Sequence, residues 1–239
     1  MMKMQVRPGS EHSFWNQSGI SWDTLICGRP AHHNDPWVTW QGRTWLRKLN
    51  DKSICEIVGY QIAEALGLPL QPWAAFYQSK VCEELASKRC IGILVERWVP
   101  SRWQGELCAP AKTHPELVGR ALALAVLDRC EWPEWLMNED KGDLRLFDLE
   151  GIGPFLDWPP GRTPLSDYRK STRYFLKCAQ EKAHVAGVHQ IFANHLEILK
   201  MLDFSHIVDL TGHPRSDVMK KVILRALDAR QRQLSIILA

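Results

Sequence analysis

The order in which strand-like and helix-like segments follow one another restricts the fold of this chain more than any other feature. Runs typical of strands lie in the first part of the chain, at 36–49, 73–77, 90–99 and 144–147. After residue 167 helical periodicity dominates, over 168–182, 189–202 and 216–238. This segregation predicts an α+β fold rather than a doubly wound parallel sheet.

Two local patterns define the start of this fold. The segment 36–49 alternates large and polar residues around Gln41-Gly42, which predicts two antiparallel strands joined by a tight turn. The next segment begins with Ser53 and has Glu56 three residues later, as in a helix capping box, and its apolar residues recur at helical spacing. A glycine and a proline follow, so we expect that helix to end near residue 66. A strongly apolar helix is predicted over 116–127.

Composition and charge exclude several classes of protein. The chain has 239 residues, of which 45% are hydrophobic, enough for one sizeable core or two lobes around a cleft. Its 30 basic and 27 acidic residues nearly balance, which argues against strong non-specific binding to nucleic acid. No segment reaches the roughly 18 apolar residues of a membrane span, and the seven cysteines are scattered without a CxxC pair. We therefore expect a soluble, cytoplasmic protein with reduced thiols and no membrane partner.

Four charged residues occur in the order that a phosphoryl-transfer site needs. Such a site holds a triphosphate and its metal with a cation on a strand and carboxylates at the ends of loops. Lys48 lies near the end of a predicted strand, and Glu56 on the next helix could orient its ammonium group. Asp128 follows an apolar helix, and Asp148 follows a short strand. Each also has an ordinary interpretation, since strand-end lysines are usually solvated and strand-end aspartates often cap turns.

The string WLRKL, residues 45–49, followed by EIVGYQIAEALGLPLQP, residues 56–72, resembles the signature of HipA-like kinases. In that family the strand lysine, here Lys48, contacts the nucleotide phosphates, and Glu56 is its helix partner. The segment GILVERWV, which contains Glu96, is similar to the hinge strand that presents backbone groups to adenine. The resemblance therefore implies a site for ATP and Mg²⁺.

The same resemblance implies a two-lobed, protein-kinase-like fold. An antiparallel sheet with one helix would form the N-lobe over residues 1–100. A mostly helical C-lobe would follow over residues 101–239 and carry the catalytic segment.

The string LALAVLDRCEWPEWLMNEDKGDLRLFDLEG, which begins at Leu122, is similar to the catalytic segment of this family. By that resemblance Asp128 is the catalytic base and Asp148 a metal ligand. Glu150, two residues later, is a candidate second ligand.

One position in the catalytic segment departs from the family pattern. The family's metal-binding asparagine lies five residues after the catalytic aspartate, where this chain has Pro133, which offers no side-chain oxygen. Asn138 is a nearby candidate ligand, although an asparagine before EDKGD is equally a turn residue. Two functions therefore stay open. One is an ATP-dependent kinase acting on Ser or Thr of a protein. The other is a pseudokinase that binds a nucleotide or partner protein in a larger assembly, such as the toxin-antitoxin and defence systems associated with the family.

The loop predicted at 27–35 precedes the hairpin, where kinases cover the phosphates of the nucleotide. Arg29, His32 and His33 are the candidate phosphate contacts. The alternative is an ordinary polar turn. Zinc is disfavoured because adjacent histidines point in different directions and no second thiol lies at ligand spacing. No GxSxG motif of a serine hydrolase occurs.

A basic run over 162–182 supports a third function, binding of nucleic acid or an acidic partner. It contains six Lys and Arg residues interleaved with aromatic residues, among them Arg169, Lys170 and Tyr174. The alternative is a helix with one solvated face, since core-type and surface-type residues mix at helical spacing. We favour the solvated helix, so a protein substrate or partner protein is expected rather than nucleic acid.

Overall fold

The computed structural model describes residues 26–30, 36–40, 43–48, 53–77, 91–96, 102–104, 108–128, 134–137, 143–147, 149, 165–210 and 216–238. The strands in these ranges are β1 (Ile26–Pro30), β2 (Pro36–Trp40), β3 (Arg43–Lys48), β4 (Trp73–Tyr77), β5 (Ile91–Glu96), β6 (Arg102–Gln104), β7 (Glu134–Met137) and β8 (Leu144–Phe147). The helices are α1 (Ser53–Ala65), α2 (Cys108–Thr113), α3 (Pro115–Asp128), α4 (Leu165–Val185), α5 (His189–Met201), α6 (Phe204–Ile207) and α7 (Ser216–Leu238).

The strands form two small antiparallel sheets, and most of the remaining structure is helical. The first sheet has the order β1-β2-β3-β5-β4, and the second has the order β6-β7-β8. The predicted hairpin is confirmed, because Trp40 pairs with Arg43 and leaves only two residues between the strands. The segregated α+β order is confirmed as well. The division into two lobes, with a boundary near residue 100, stays a prediction.

The loop predicted at 27–35 is wrong for residues 27–30, and residues 31–35 lie outside the described residues. Residues Ile26–Pro30 form strand β1, which pairs antiparallel with β2 through Ile26 opposite Thr39 and Cys27 opposite Val38. The pairing satisfies backbone groups in a segment that has no clear apolar alternation, so the sequence pattern did not predict it. Short β6 and β7 were not predicted either, since runs of three or four residues give too little periodicity.

Two buried helices form the centre of the fold. All residues from 54 to 63 of α1 are buried, and α3 is buried from Val118 onward apart from the half-buried Arg120. A helix buried on all sides needs neighbouring elements around its whole circumference, and α1 packs against β5, α3 and α6. In turn α3 packs against α2, α4 and α5.

The end of α1 has a well-defined stop. Gly67 has φ 69°, in the left-handed region that glycine adopts without a Cβ clash. Its N–H donates to the Glu64 carbonyl at 2.9 Å, and the Leu68 N–H donates to the Ala63 carbonyl at 2.9 Å. These two bonds are the Schellman pattern of a helix C-terminus. The predicted helix end is therefore confirmed, to within one residue.

The side chain of Gln61 ties α1 to the chain just after α6. Its Nε2 donates to the Asp209 carbonyl at 2.7 Å, and its Oε1 accepts from the Asp209 N–H at 3.2 Å. Gln61 is buried, and these bonds satisfy both polar ends of its side-chain amide. These bonds join residues 148 positions apart in the sequence.

Arg120 joins the end of α1 to α3 and α5. Its Nη1 donates to the carbonyls of Leu66, at 3.0 Å, and Gly67, at 3.3 Å. Its Nε donates to His195 Nε2 at 3.4 Å, and the Glu116 carboxylate lies 3.5 Å from the same histidine nitrogen. A cation at the C-terminal carbonyls of a helix also interacts favourably with the helix dipole.

The surroundings of His195 favour its neutral form. Burial is the largest effect on His195 and lowers its pKa, and the positive charge of Arg120 lowers the pKa further. The Glu116 carboxylate raises the pKa but only partly offsets these two effects. Because Nε2 accepts from Arg120, the neutral ring carries its proton on Nδ1. Protonation at Nε2 would put a second cation beside Arg120.

None of the described helices is long and apolar enough to cross a membrane.

Replacing Gln61 by Glu should destabilise the fold. The carboxylate cannot donate to the Asp209 carbonyl, and it places a charged group at a buried position, at a cost of about 1–3 kcal/mol. The matched control is Gln190→Glu, on the exposed face of α5, which should change stability by no more than about 0.5 kcal/mol. Urea unfolding measures the free energy of unfolding of both variants. Equal values would contradict the hydrogen bonds described for Gln61.

Protonation of His195 should reduce stability at acidic pH. Its pKa is lower in the folded than in the unfolded state, so the unfolded state binds more protons as the pH falls below about 6.5. Stability therefore decreases as the pH falls through this range. His195→Gln keeps an acceptor for Arg120 and removes the titration. Urea unfolding at about pH 5 and 7.5 should show that the free energy of unfolding changes less with pH in the variant than in the unmodified protein. An equal change in both proteins would contradict this prediction.

Candidate functional site

Lys48 and Glu56 lie on adjacent elements in the order that the sequence predicts. Lys48 is the last residue of β3, and its backbone pairs with Ile93 of β5. Glu56 is in the first turn of α1 and is completely buried, and α1 packs on β5. Placing a carboxylate in the interior requires partners that favour its charge or a proton that removes it. The structure thus brings the helix of Glu56 and the strand of Lys48 onto the same strand, β5, while their pairing stays a prediction.

Asp128 is the last residue of α3 and is 2% exposed. The carbonyl of the residue before it, Leu127, accepts a hydrogen bond from Arg230 Nη1 of α7. Arg230 is itself 1% exposed, so a buried cation lies beside the end of the helix that carries this carboxylate. Whether Asp128 acts as a base stays a prediction.

The chain after β8 lies directly against α1. A Cβ placed on Gly59 would be 2.4 Å from the Leu149 carbonyl oxygen and 2.6 Å from its Cβ, so only a glycine permits this approach. Strand β8 is also held by the segment after α1, because the Leu146 N–H donates to the Pro69 carbonyl at 2.8 Å. Leu149 lies between Asp148 and Glu150 in the sequence, and Gly59 lies one turn from Glu56.

Glu96 ends β5 and is engaged through both its backbone and its side chain. Its N–H donates to the Pro72 carbonyl at 2.8 Å, and its carbonyl accepts from Gln71 Nε2 at 3.0 Å. Its carboxylate lies 3.6 Å from Nη1 of the half-exposed Arg43. With these groups occupied, a contact to adenine at this residue would have to use the second lone pair of the Glu96 carbonyl.

Arg145 of β8 lies close enough to Glu96, at the end of β5, for the Glu96 carboxylate to affect its pKa. Burial lowers the pKa of Arg145, and the carboxylates of Glu96 and Asp143 oppose that effect. The segment 69–72 makes hydrogen bonds with both strands, to Leu146 of β8 and to Glu96 of β5. The end of β5 and strand β8 therefore meet at the same short segment, as a cleft between the two sheets would require. No pattern in the sequence predicted a role for Arg145.

The remaining predicted site residues are not tested. Arg29 lies in strand β1 rather than in a loop. His32, His33, Asn138, Asp148 and Glu150 lie outside the described residues, and so does Pro133. Within the ranges that are described, no cluster of three or more His, Cys, Asp or Glu side chains could hold a metal ion. The proposed ligand positions Asn138, Asp148 and Glu150 all fall beyond those ranges.

The basic run lies largely on α4, which has one buried and one exposed face. Leu176, Ala179 and Ala183 are buried, whereas Lys170, Arg173 and Lys177 are exposed. Lys177 also lies 3.9 Å from Glu181 on the same face. This is the pattern of an amphipathic helix with a solvated side.

Besides Arg145, the sequence interpretation missed Arg230 and Gly59, for different reasons. Arg230 occupies a position on the buried stripe of α7, at helical spacing from Ile223, Leu227 and Leu234, and a lone arginine on such a stripe is a usable signal. Gly59 has no such signal, since its role depends on a contact with the distant Leu149.

Comparison with known proteins supports the fold and no finer detail. The sequence matches no protein-family profile and no curated protein sequence. The structure is similar to the crystal structure of a Helicobacter pylori proinflammatory kinase, CtkA, with a TM-score of 0.53 and 11% sequence identity. The aligned region covers 90% of this chain and 98% of that chain. The fold is therefore kinase-like.

Replacing Gly59 by Ala should destabilise the contact between α1 and Leu149. Alanine favours a helix by about 1 kcal/mol over glycine, but the new methyl group would overlap a backbone oxygen, and such overpacking costs about 1–3 kcal/mol. The comparison variant is Gly119→Ala in α3, whose new Cβ would lie 2.6 Å from Ile191 Cγ2 and 2.9 Å from its Cβ, so that side chain must also shift. The nearest backbone atom at Gly119 is 3.2 Å away, compared with 2.4 Å at Gly59. Urea unfolding should therefore show the larger loss for Gly59→Ala, and the reverse order would contradict the packing described.

Proposed function

We propose that this protein is an ATP-dependent kinase that transfers the γ-phosphoryl group to a Ser or Thr hydroxyl of a protein. The observation that carries the proposal is the packing of Leu149 on Gly59, one turn from the buried Glu56. It brings the chain that contains Asp148 to the helix that contains Glu56. The kinase-like fold supports the same conclusion.

Each proposed role matches the chemistry of the side chain. The Lys48 ammonium would bind phosphate oxygens, with Glu56 holding it in position. Asp128 would accept the hydrogen bond of the acceptor hydroxyl and take its proton as the hydroxyl oxygen bonds to the γ-phosphorus. The bond from that phosphorus to the bridging oxygen then breaks, and ADP leaves.

Asp148 and Glu150 are the proposed ligands of Mg²⁺, with Asn138 as a further candidate. Carboxylate and amide oxygens are the donors that Mg²⁺ prefers, and the ion would neutralise charge on the phosphates. The arginine fork of Arg145, next to Glu96, would lie at the nucleotide side of β8 in this arrangement.

The alternative is a binding module with the same fold and no phosphoryl transfer. Pro133, in the place of the metal-binding asparagine of HipA-like kinases, is the observation that favours it. Such a module would hold a nucleotide or a partner protein within a larger assembly. Binding of nucleic acid through the exposed Lys170, Arg173 and Lys177 is the third candidate, and a binding constant that falls steeply with salt would support it.

Thermal unfolding with and without ATP and Mg²⁺ tests the nucleotide site. At 100 times its dissociation constant a ligand stabilises the native state by about 2.7 kcal/mol, so the midpoint should rise and the rise should require Mg²⁺. We expect Asp148→Ala to abolish the Mg²⁺-dependent rise. Asp228→Ala, which removes an exposed carboxylate of α7, is the matched control and should keep it. No shift in the unmodified protein would contradict the nucleotide site.

Transfer of labelled phosphate from ATP to protein separates the kinase from the binding module. Asp128→Asn should retain the thermal shift and reduce the rate of transfer by about 10²–10⁴-fold, because it keeps the shape of the side chain but cannot take the proton. A thermal shift without any transfer in the unmodified protein would favour the binding module.

A further inference from the structure

Arg230 is a cation in the interior of the protein. It lies on the buried face of α7, with Ala226, Leu227 and Leu234 at helical spacing, and is 1% exposed. Taking a guanidinium group out of water costs several kcal/mol unless nearby acceptors compensate it. A methionine or leucine would fill this stripe without that cost, so the arginine points to a requirement other than packing.

The guanidinium group reaches the last turn of α3. Its Nη1 donates to the Leu127 carbonyl, and the two residues are 103 positions apart in the sequence. The last four carbonyls of a helix have no partner within the helix and carry its negative partial charge. A buried cation at this point both satisfies one of these carbonyls and interacts favourably with the helix dipole.

The carbonyl of Leu127 belongs to the same peptide unit as the nitrogen of Asp128. That unit is planar, so a donor that holds the carbonyl also fixes the plane from which the Cα of Asp128 extends. Asp128 is 2% exposed at the end of α3. The orientation of its side chain therefore depends on a contact made by the C-terminal helix.

The next residue of α7 provides a natural comparison. Gln231 Nε2 donates to the carbonyls of Leu199 and Leu202, both at 2.8 Å, and so satisfies the end of α5. Arg230 and Gln231 thus anchor α7 to the ends of two different helices. Only the helix held by Arg230 carries a predicted catalytic residue.

We propose that Arg230 is a positioning residue for Asp128, an inference that rests on the proposed kinase function. It acts through the backbone of Leu127 and has no direct role in the chemical step. Loss of the contact lets the end of α3 move and misplaces the carboxylate relative to the acceptor hydroxyl. The binding of ATP, which depends on Lys48 and the metal ligands, does not change.

The test compares Arg230→Met, Arg230→Lys and Gln231→Leu in the full chain. A misplacement of about 1 Å can reduce turnover by about 100-fold, so Arg230→Met should lower kcat by about 10–100-fold with KM for ATP nearly unchanged. Arg230→Lys, which keeps a cation at the carbonyls, should recover part of kcat. Gln231→Leu should lower stability and leave kcat as it was.

A double variant separates positioning from a general effect on stability. If Arg230 acts only through Asp128, adding Arg230→Met to Asp128→Asn should lower kcat no further. If the reductions in kcat of the two single variants multiply in the double variant, the inference is overturned. An unchanged kcat in Arg230→Met would also overturn it.

Hydrogen exchange keeps the inference testable without activity. Arg230→Met should speed amide exchange at residues 125–128 by about tenfold, whereas Gln231→Leu should speed it at the end of α5. Unchanged exchange at 125–128, or a loss of protection spread evenly over the chain, would overturn the positioning role. Absence of ATP binding and transfer in the unmodified protein, together with the expected exchange pattern, would instead overturn the proposed kinase function.

Discussion

The fold depends on the burial of α1, in which residues 54–63 are all buried. Such a helix requires neighbours that fit it closely, and α1 is contacted by a sheet strand, by α3 and by the chain around α6. Gly59 allows Leu149 to approach its backbone, and Gln61 pairs with Asp209. Arg120 closes its C-terminal end. Through these contacts the antiparallel sheet and the helices of the second half are joined to a single element, which also carries Glu56.

Buried charged groups are the second constraint on the described part of the fold. Glu56, Asp128 and Arg230 are each at most 2% exposed. Charge in a protein interior is costly, so proteins retain it chiefly where function or specificity needs it. In this chain the three lie on α1, α3 and α7. The order of the elements alone would not place α7 near the end of α3, but the bond from Arg230 to Leu127 does.

Local patterns predicted most of the elements and fewer of the contacts between them. The hairpin, α1 with its glycine stop, the apolar α3 and the three long helices follow from turn chemistry and periodicity, which act over a few residues. Strand β1 was predicted as a loop because its structure comes from pairing with β2. The roles of Gly59 and Arg230 depend on residues 90 or more positions away, Leu149 and Leu127, and no local pattern carries that information. The predicted ligands Asp148 and Glu150 lie outside the described residues and remain predictions.

The central claim is that the strand carrying Lys48, the helix carrying Glu56 and the end of β8 surround a nucleotide. The most direct measurement uses an acyl phosphate of ATP, which transfers its acyl group to a lysine amine held beside the phosphates, with mass spectrometry to locate the modified residue. The account predicts that Lys48 is acylated in preference to surface lysines such as Lys177 and Lys221, and that free ATP with Mg²⁺ suppresses the reaction at Lys48 alone. Equal acylation of all three lysines, insensitive to ATP, would contradict it.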